Sequence, residues 1–122
     1  MKHLLNWVEI PVSNLERAKS FYSAILDMQM EEMEMHGLRY SFFGVEDTYN
    51  NGALVQGPDY TPGTAGPVLY LNGGDDLSTI LNRVEGAGGT VLMPKTFLSD
   101  MAGFVGLFID PEGNRIGVQS MS

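Results

Sequence analysis

The sequence predicts an α+β fold in which two βαβββ modules form a cupped, curved mixed β-sheet with a helix outside each module. The first observation is that the order strand, helix, strand, strand, strand is predicted in residues 1–57 and again in residues 66–122. The second is that the halves align, with Asn51–Gln56 matching Asn114–Gln119 in their last strands. With 122 residues the chain is one domain, and the concave sides of both modules are expected to line one pocket.

The first module opens with a strand over residues 4–12. Side chains two apart on a strand share a face, so Trp7 and Glu9 lie on one face and Val8 and Ile10 on the other. This alternation predicts which side chains point toward the helix and which toward the pocket.

A helix is predicted over about residues 14–26. Ser13 and Glu16 have the spacing of a capping box, with Ser13 as the N-cap residue. The apolar residues that follow at helical spacing are Leu15, Ala18, Tyr22, Ile25 and Leu26.

Three more strands complete the first module, at residues 28–35, 38–45 and 53–56, with a polar loop at 46–51 between the last two. The segment Gly57–Thr64 is rich in glycine and proline and predicts a linker.

The second module repeats the order after this linker. Its first strand is predicted at residues 67–72, its helix at 77–87, and its next strand at 90–93, where Pro94 interrupts it. A hairpin over Gly103–Gln119 closes the chain. Its turn is Asp110-Pro111-Glu112-Gly113-Asn114, in which proline presets φ and glycine supplies a position with φ > 0.

Composition excludes several classes of protein. The net charge of −8 argues against a nucleic-acid partner, and the absence of cysteine excludes disulfides, thiolate catalysis and Cys-bound zinc. No apolar run approaches the roughly 20 residues of a membrane span. Glu9 and Pro11 interrupt the apolar start that a signal peptide would need. We therefore expect a cytoplasmic protein with no nucleic-acid and no membrane partner.

Several segments together resemble the vicinal oxygen chelate superfamily, which includes glyoxalase I, the extradiol dioxygenases, and the fosfomycin- and bleomycin-resistance proteins. They are Ile10–Ala18 followed by Phe21-Tyr22, then Asp75-Asp76-Leu77, Gly88-Gly89 and Asp110–Asn114. The resemblance implies a glyoxalase-like pair of βαβββ modules, often dimeric, with one cupped site per pair.

Catalytic members of this superfamily usually bind a divalent metal through four strand positions. The resemblance places these positions on Trp7, Leu54 (or Val55 or Gln56 in a shifted register), Val68 and Gly117. Only Gln56 among them could ligate, and one amide oxygen does not hold a structural ion. His3 precedes the first strand and His36 lies in a turn. We therefore expect no metal and no other cofactor, with a divalent metal as the alternative.

The pocket is expected to be apolar and aromatic, with few polar groups. Its predicted lining is Trp7, Glu9, Tyr40, Phe42, Leu54, Gln56, Val68, Tyr70, Phe104, Gly117 and Gln119. Glu9 is the candidate catalytic residue, as a general base, or the partner of a cationic ligand. The competing interpretation is a structural acceptor bonded to Gln119, Tyr70 or backbone N–H groups.

These features predict a small-molecule binding protein that resembles the bleomycin-resistance branch and forms a homodimer. An acidic protein suits an apolar or cationic ligand. The alternative is a glyoxalase-like lyase, isomerase or dioxygenase that uses a divalent metal or Glu9 as its base. A pocketless interaction subunit is the third hypothesis. The sequence leaves open whether the modules pair within one chain or between two chains.

Overall fold

The computed structural model describes residues 1–46 and 50–122. Its elements are β1 (Trp7–Pro11), α1 (Leu15–Leu26), β2 (Glu31–Met35), β3 (Leu38–Phe42), β4 (Asn51–Gln56), β5 (Leu69–Asn72), α2 (Ser78–Val84), β6 (Thr90–Ser99), β7 (Gly103–Ile109) and β8 (Arg115–Ser120). The predicted βαβββ order is confirmed in both halves. The predicted loop at 46–51 includes residues 47–49, which lie outside the described residues. Neither of these helices has the length and hydropathy needed to cross a bilayer.

Each module forms its own four-stranded mixed sheet. The strand orders are β1-β4-β3-β2 in sheet 1 and β5-β8-β7-β6 in sheet 2. In both sheets the first strand pairs in parallel with the last, and the remaining pairs are antiparallel. The α+β class and the twofold module repeat are thus confirmed.

The helix-facing sides of the two sheets share one hydrophobic core. Phe21 and Tyr22 of α1 are fully buried, and their rings lie 5.7 and 6.5 Å from that of Phe108 in β7. The same core contains Ile10 and Leu54 from sheet 1, together with buried residues of α2 and β8. The face of each sheet that points away from this core is therefore the one available for a site.

The predicted capping box of α1 is wrong. The N-cap residue is Asn14, whose side-chain oxygen accepts from the backbone N–H of Arg17 at 3.0 Å. Ser13 instead donates its backbone N–H and its hydroxyl to Glu112, at 2.8 and 3.1 Å. The acceptor for the N–H and hydroxyl of Ser13 is thus Glu112 of the second module. A local sequence pattern does not reveal a partner so distant in the chain.

Pro94 does not end its strand as predicted. Strand β6 continues from Thr90 to Ser99 and its register against β7 shifts between Met93 and Thr96, on either side of the proline. Proline is tolerated here because β6 is an edge strand and a bulge removes the need for its missing N–H.

The turn between β7 and β8 forms as predicted. Gly113 has a φ of +94° and donates its N–H to the Asp110 carbonyl at 3.0 Å. The Asp110 side chain is buried and accepts from the Tyr22 hydroxyl at 2.6 Å. Burial next to this carboxylate raises the pKa of Tyr22 well above its usual value, so the phenol remains a donor. The turn thereby fastens the second module to α1.

Candidate functional site

One face of sheet 1 carries a cluster of aromatic side chains. The Trp7 and Phe42 rings lie 5.9 Å apart with an interplanar angle of 60°, and Tyr40 stacks on Phe42 at 5.7 Å and 3°. The strand register places all three on the side of the sheet that points away from α1. We call the surface of Trp7, Tyr40, Phe42 and Glu9 the aromatic face.

Glu9 is the charged group of the aromatic face. One carboxylate oxygen accepts from the Tyr60 hydroxyl at 2.6 Å, and the other accepts from the Trp7 indole N–H at 3.3 Å. Neither donor is among the partners expected from the sequence. Glu9 is half-buried and Trp7 is 42% exposed, so a ligand can reach both the carboxylate and the indole ring.

Tyr60 belongs to the linker between the modules and was missed by the sequence analysis. The hydrogen bond to Glu9 raises the pKa of Tyr60 from its usual 10.0 to about 12. The available signal was a lone aromatic residue in a Gly- and Pro-rich segment, but no local pattern identifies its partner.

Replacing Glu9 with glutamine is therefore expected to return the pKa of Tyr60 toward about 10. At pH 11, Tyr60 would change from about 10% ionised in the wild type to about 90% ionised in Glu9→Gln. Tyrosine ¹³Cζ NMR measures this fraction. The matched control Glu85→Gln alters an exposed residue at the end of α2 and should leave Tyr60 unchanged. Equal ionisation of Tyr60 in the wild type and Glu9→Gln would contradict the assignment.

The corresponding face of sheet 2 holds Tyr70 and Gly117. A Cβ added at Gly117 would overlap the Tyr70 ring, so this glycine makes room for Tyr70. Val68 precedes β5 by one residue. The Gln119 side chain is held in place by the turn before β7, because its amide donates to the Ala102 carbonyl at 2.5 Å.

The expected positions of Leu54 and Gln56 are corrected. Leu54 is fully buried in the core with α1. The Gln56 side-chain oxygen accepts from the Leu15 backbone N–H at 2.7 Å, at the start of the helix. Both side chains therefore lie on the helix side of β4, and Ala53 and Val55 occupy the opposite side.

Phe104 is also misplaced by the sequence analysis. Its ring contacts Phe97 at 5.4 Å, the Lys95 ammonium lies 4.6 Å from its centroid, and it packs against the shared core. Phe104 therefore lies on the helix side of sheet 2, away from the predicted pocket.

The four positions that the resemblance assigns to a metal do not fit a divalent ion. The side chains of Trp7, Leu54 and Val68 have no atom that coordinates a divalent metal, and Gly117 has no side chain. Residues 1–46 and 50–122 contain no group of three or more His, Asp or Glu side chains arranged to hold a metal. Glu9 is the carboxylate on the aromatic face, and its two hydrogen-bond donors are a phenol and an indole.

Two cavities lie where the edge strands β1 and β5 approach one another. The smaller, about 320 Å³, includes Trp7, Val8, Leu69 and Tyr70 in its lining. The larger, about 690 Å³, includes residues 61–65 and Pro67 in its lining, together with Glu9 and Arg115. Arg115 is a second residue that the sequence analysis missed.

Solved structures with the same fold include an antibiotic-binding protein. The chain is 25% identical to TnmS3, an antibiotic-binding protein from Streptomyces sp. CB03234, with a TM-score of 0.71 over 100% of this chain and 98% of that one. It is also 25% identical to a glyoxalase/bleomycin resistance protein from the same organism, with a TM-score of 0.71 over 95% and 99% of the two chains.

A glyoxalase I mutant from Zea mays shares the fold at 20% identity, with a TM-score of 0.76 over 95% of this chain and 46% of the maize chain. A comparison with curated proteins found no match. The family model of the Glyoxalase/Bleomycin resistance protein/Dioxygenase superfamily matches residues 4–118. With this match over nearly the whole chain, and with the paired βαβββ modules seen in the structure, the protein belongs to the Glyoxalase/Bleomycin resistance protein/Dioxygenase superfamily.

Proposed function

We propose that the protein binds a small apolar or cationic molecule on the aromatic face, without a bound metal. The observation that carries this proposal is the cluster of the Trp7, Tyr40 and Phe42 rings with the Glu9 carboxylate at its edge. Aromatic rings with a few fixed polar groups are typical of small-molecule sites.

The aromatic face favours a ligand that is both flat and positively charged. Aromatic rings attract a cation through their quadrupole, and the attraction increases when water is excluded. Glu9 adds a full negative charge that its phenol and indole donors hold in place. The net charge of −8 attracts a cation at longer range. The similar protein TnmS3 is an antibiotic-binding protein, which supports a small-molecule ligand.

Two probes with the same ring test the proposal. We expect 2-(2-naphthyl)ethylamine, which is a cation at pH 7, to bind about tenfold more tightly than 2-(2-naphthyl)ethanol in isothermal titration calorimetry. In Glu9→Gln the amine should bind as weakly as the alcohol, because the carboxylate charge is gone. The control Glu85→Gln should keep the tenfold difference. An unchanged preference for the amine in Glu9→Gln would remove Glu9 from the site.

We also propose that the ligand-binding form is a homodimer. In the described chain, the ring contacts and hydrogen bonds of Trp7, Glu9, Tyr40 and Phe42 join them only to residues 7–60, which belong to their own module and the linker. Met33 beside it is 51% exposed, and Tyr70 on sheet 2 is 46% exposed. A second copy would cover such apolar surface.

Light scattering should therefore give twice the chain mass of 13.4 kDa at micromolar concentration. We expect Met33→Glu to shift the protein toward monomer, because it places a charge beside the aromatic face. Met101→Glu, at a residue that is 91% exposed in the turn before β7, should leave the dimer intact. A monomer at all concentrations would contradict the homodimer.

A further inference from the structure

We infer that the 690 Å³ cavity contains a carboxylate-binding site at Arg115, and that the ligand is therefore amphoteric, with an ammonium and a carboxylate on one apolar body. The inference rests on the proposed function, because the ammonium is assigned to Glu9. It adds a second recognition point, on the other module, that the aromatic face does not supply.

Arg115 is partly buried and has no partner in the described chain, whereas the other basic residues there are either paired or exposed. Of the seven lysines and arginines, those that pair with carboxylates are Arg17, Lys19, Arg39 and Lys95. Arg83 donates to the Ile25 carbonyl, and Lys2 lies in the exposed N-terminal segment. Arg115 forms no hydrogen bond or ion pair with any residue that the structure describes, and its Nε is buried.

The position of Arg115 follows from the register of sheet 2. It is the first residue of β8 and pairs with Ile109 of β7. Gly117 lies two residues later, so Arg115 and Gly117 share the face that carries Tyr70. The guanidinium therefore belongs to the pocket side of the sheet and not to the core.

The cavity is lined by side chains of opposite charge. Glu9 of β1 lines one part and Arg115 of β8 another, while Pro11, Thr61 and Val68 supply much of the remaining wall. A buried N–H without an acceptor is costly, and an anionic ligand would satisfy it. The volume accommodates a molecule of the size of a substituted amino acid.

A carboxylate fits this site better than a phosphate. The guanidinium presents a planar fork that binds a carboxylate through two parallel hydrogen bonds. A doubly charged phosphate would be repelled by Glu9 in the same cavity and by the net charge of −8. A zwitterion has no net charge, and each of its ends meets a residue of opposite sign.

The test compares 2-(2-naphthyl)ethylamine with 3-(2-naphthyl)alanine, which differs from it by one carboxylate. In the wild type we expect the amino acid to bind about tenfold more tightly by calorimetry. Arg115→Met should abolish this difference and leave the affinity of the amine unchanged. Lys2→Met removes the same charge from the exposed N-terminal segment and should preserve the difference.

Each failure has its own signature. If the amine binds but the carboxylate adds nothing, or if its contribution survives Arg115→Met, the carboxylate site is wrong and the proposed function stands. If neither probe binds, both proposals are wrong. Thermal unfolding provides an independent measurement, because removing an unpaired guanidinium should not lower the Tm. A fall of more than about 5 °C in Arg115→Met would assign Arg115 a structural role and overturn the inference.

Discussion

Replacing Asp110 with alanine is expected to lower the free energy of unfolding by about 3–5 kcal/mol. The buried carboxylate accepts from the Tyr22 hydroxyl at 2.6 Å, from the backbone N–H groups of Glu112 and Asn114 at 2.9 Å each, and from the Asn114 amide at 3.1 Å. Alanine would leave these donors without their acceptor. Asn114 also donates to the Pro11 carbonyl, so the loss would spread to the contact between the modules.

Urea unfolding of matched variants measures this effect. Tyr22→Phe removes one donor and keeps the carboxylate, and we expect it to cost about 1–2 kcal/mol. Asp100→Ala, at an exposed residue of the turn before β7, should change stability by less than about 0.5 kcal/mol. A similarly small change in Asp110→Ala would show that the turn does not hold the modules together.

The second large effect is expected at Glu112, whose replacement with alanine should cost about 2–3 kcal/mol. Its side chain exposes no surface and accepts from the backbone N–H groups of Ser13 and Asn14 and from the Ser13 hydroxyl. The Arg17 guanidinium lies 2.6 Å from its second oxygen. Glu112, from the second module, thus accepts the backbone N–H groups at the start of α1 that have no partner within the helix.

Stability should also depend on pH through Glu112. Burial raises the pKa of this carboxyl, but the hydrogen bonds from Arg17, Ser13 and Asn14 outweigh it and hold the pKa below its usual value of 4.5. Folding therefore favours the ionised form, and its contribution is complete above about pH 4.5 and is lost as the pH falls through the lowered pKa. The difference in unfolding free energy between wild type and Glu112→Ala should shrink on acidification below pH 4.5. The control Glu85→Ala should show the same pH dependence of stability as the wild type. If the difference in unfolding free energy between wild type and Glu112→Ala does not change with pH, the role of the ionised carboxylate is wrong.

The sequence predicted the element order and the faces of β1 correctly, because the polar Glu9 lies between the apolar Val8 and Ile10 and marks the face that points away from the core. Strand β4 carries no such alternation, since Gly52, Ala53, Leu54 and Val55 are all buried. A shift of one residue moves every side chain to the other face, which is why Leu54 and Gln56 were misplaced. Strand β7 is apolar throughout, and Phe104 was misplaced for the same reason.

The structure corrects the sequence alignment of the two modules by one residue. Gln56 accepts from the backbone of Leu15 at the start of α1, and the Ser120 hydroxyl accepts from that of Leu77 at the start of α2. Gln56 therefore corresponds to Ser120 and not to Gln119, one residue later than the sequence alignment placed it. Tyr60 and Arg115 were missed because their importance depends on contacts or cavities formed between segments distant in sequence.

The most direct test of ligand binding on the aromatic face is the NMR signal of the Trp7 indole N–H. Trp7 is the single tryptophan of the chain, and its N–H donates to Glu9 at 3.3 Å. Titration with 2-(2-naphthyl)ethylamine should shift this one indole resonance along a saturation curve with the same Kd that calorimetry gives. If calorimetry shows binding while the indole resonance stays in place, the ligand lies elsewhere and the aromatic face is not the site.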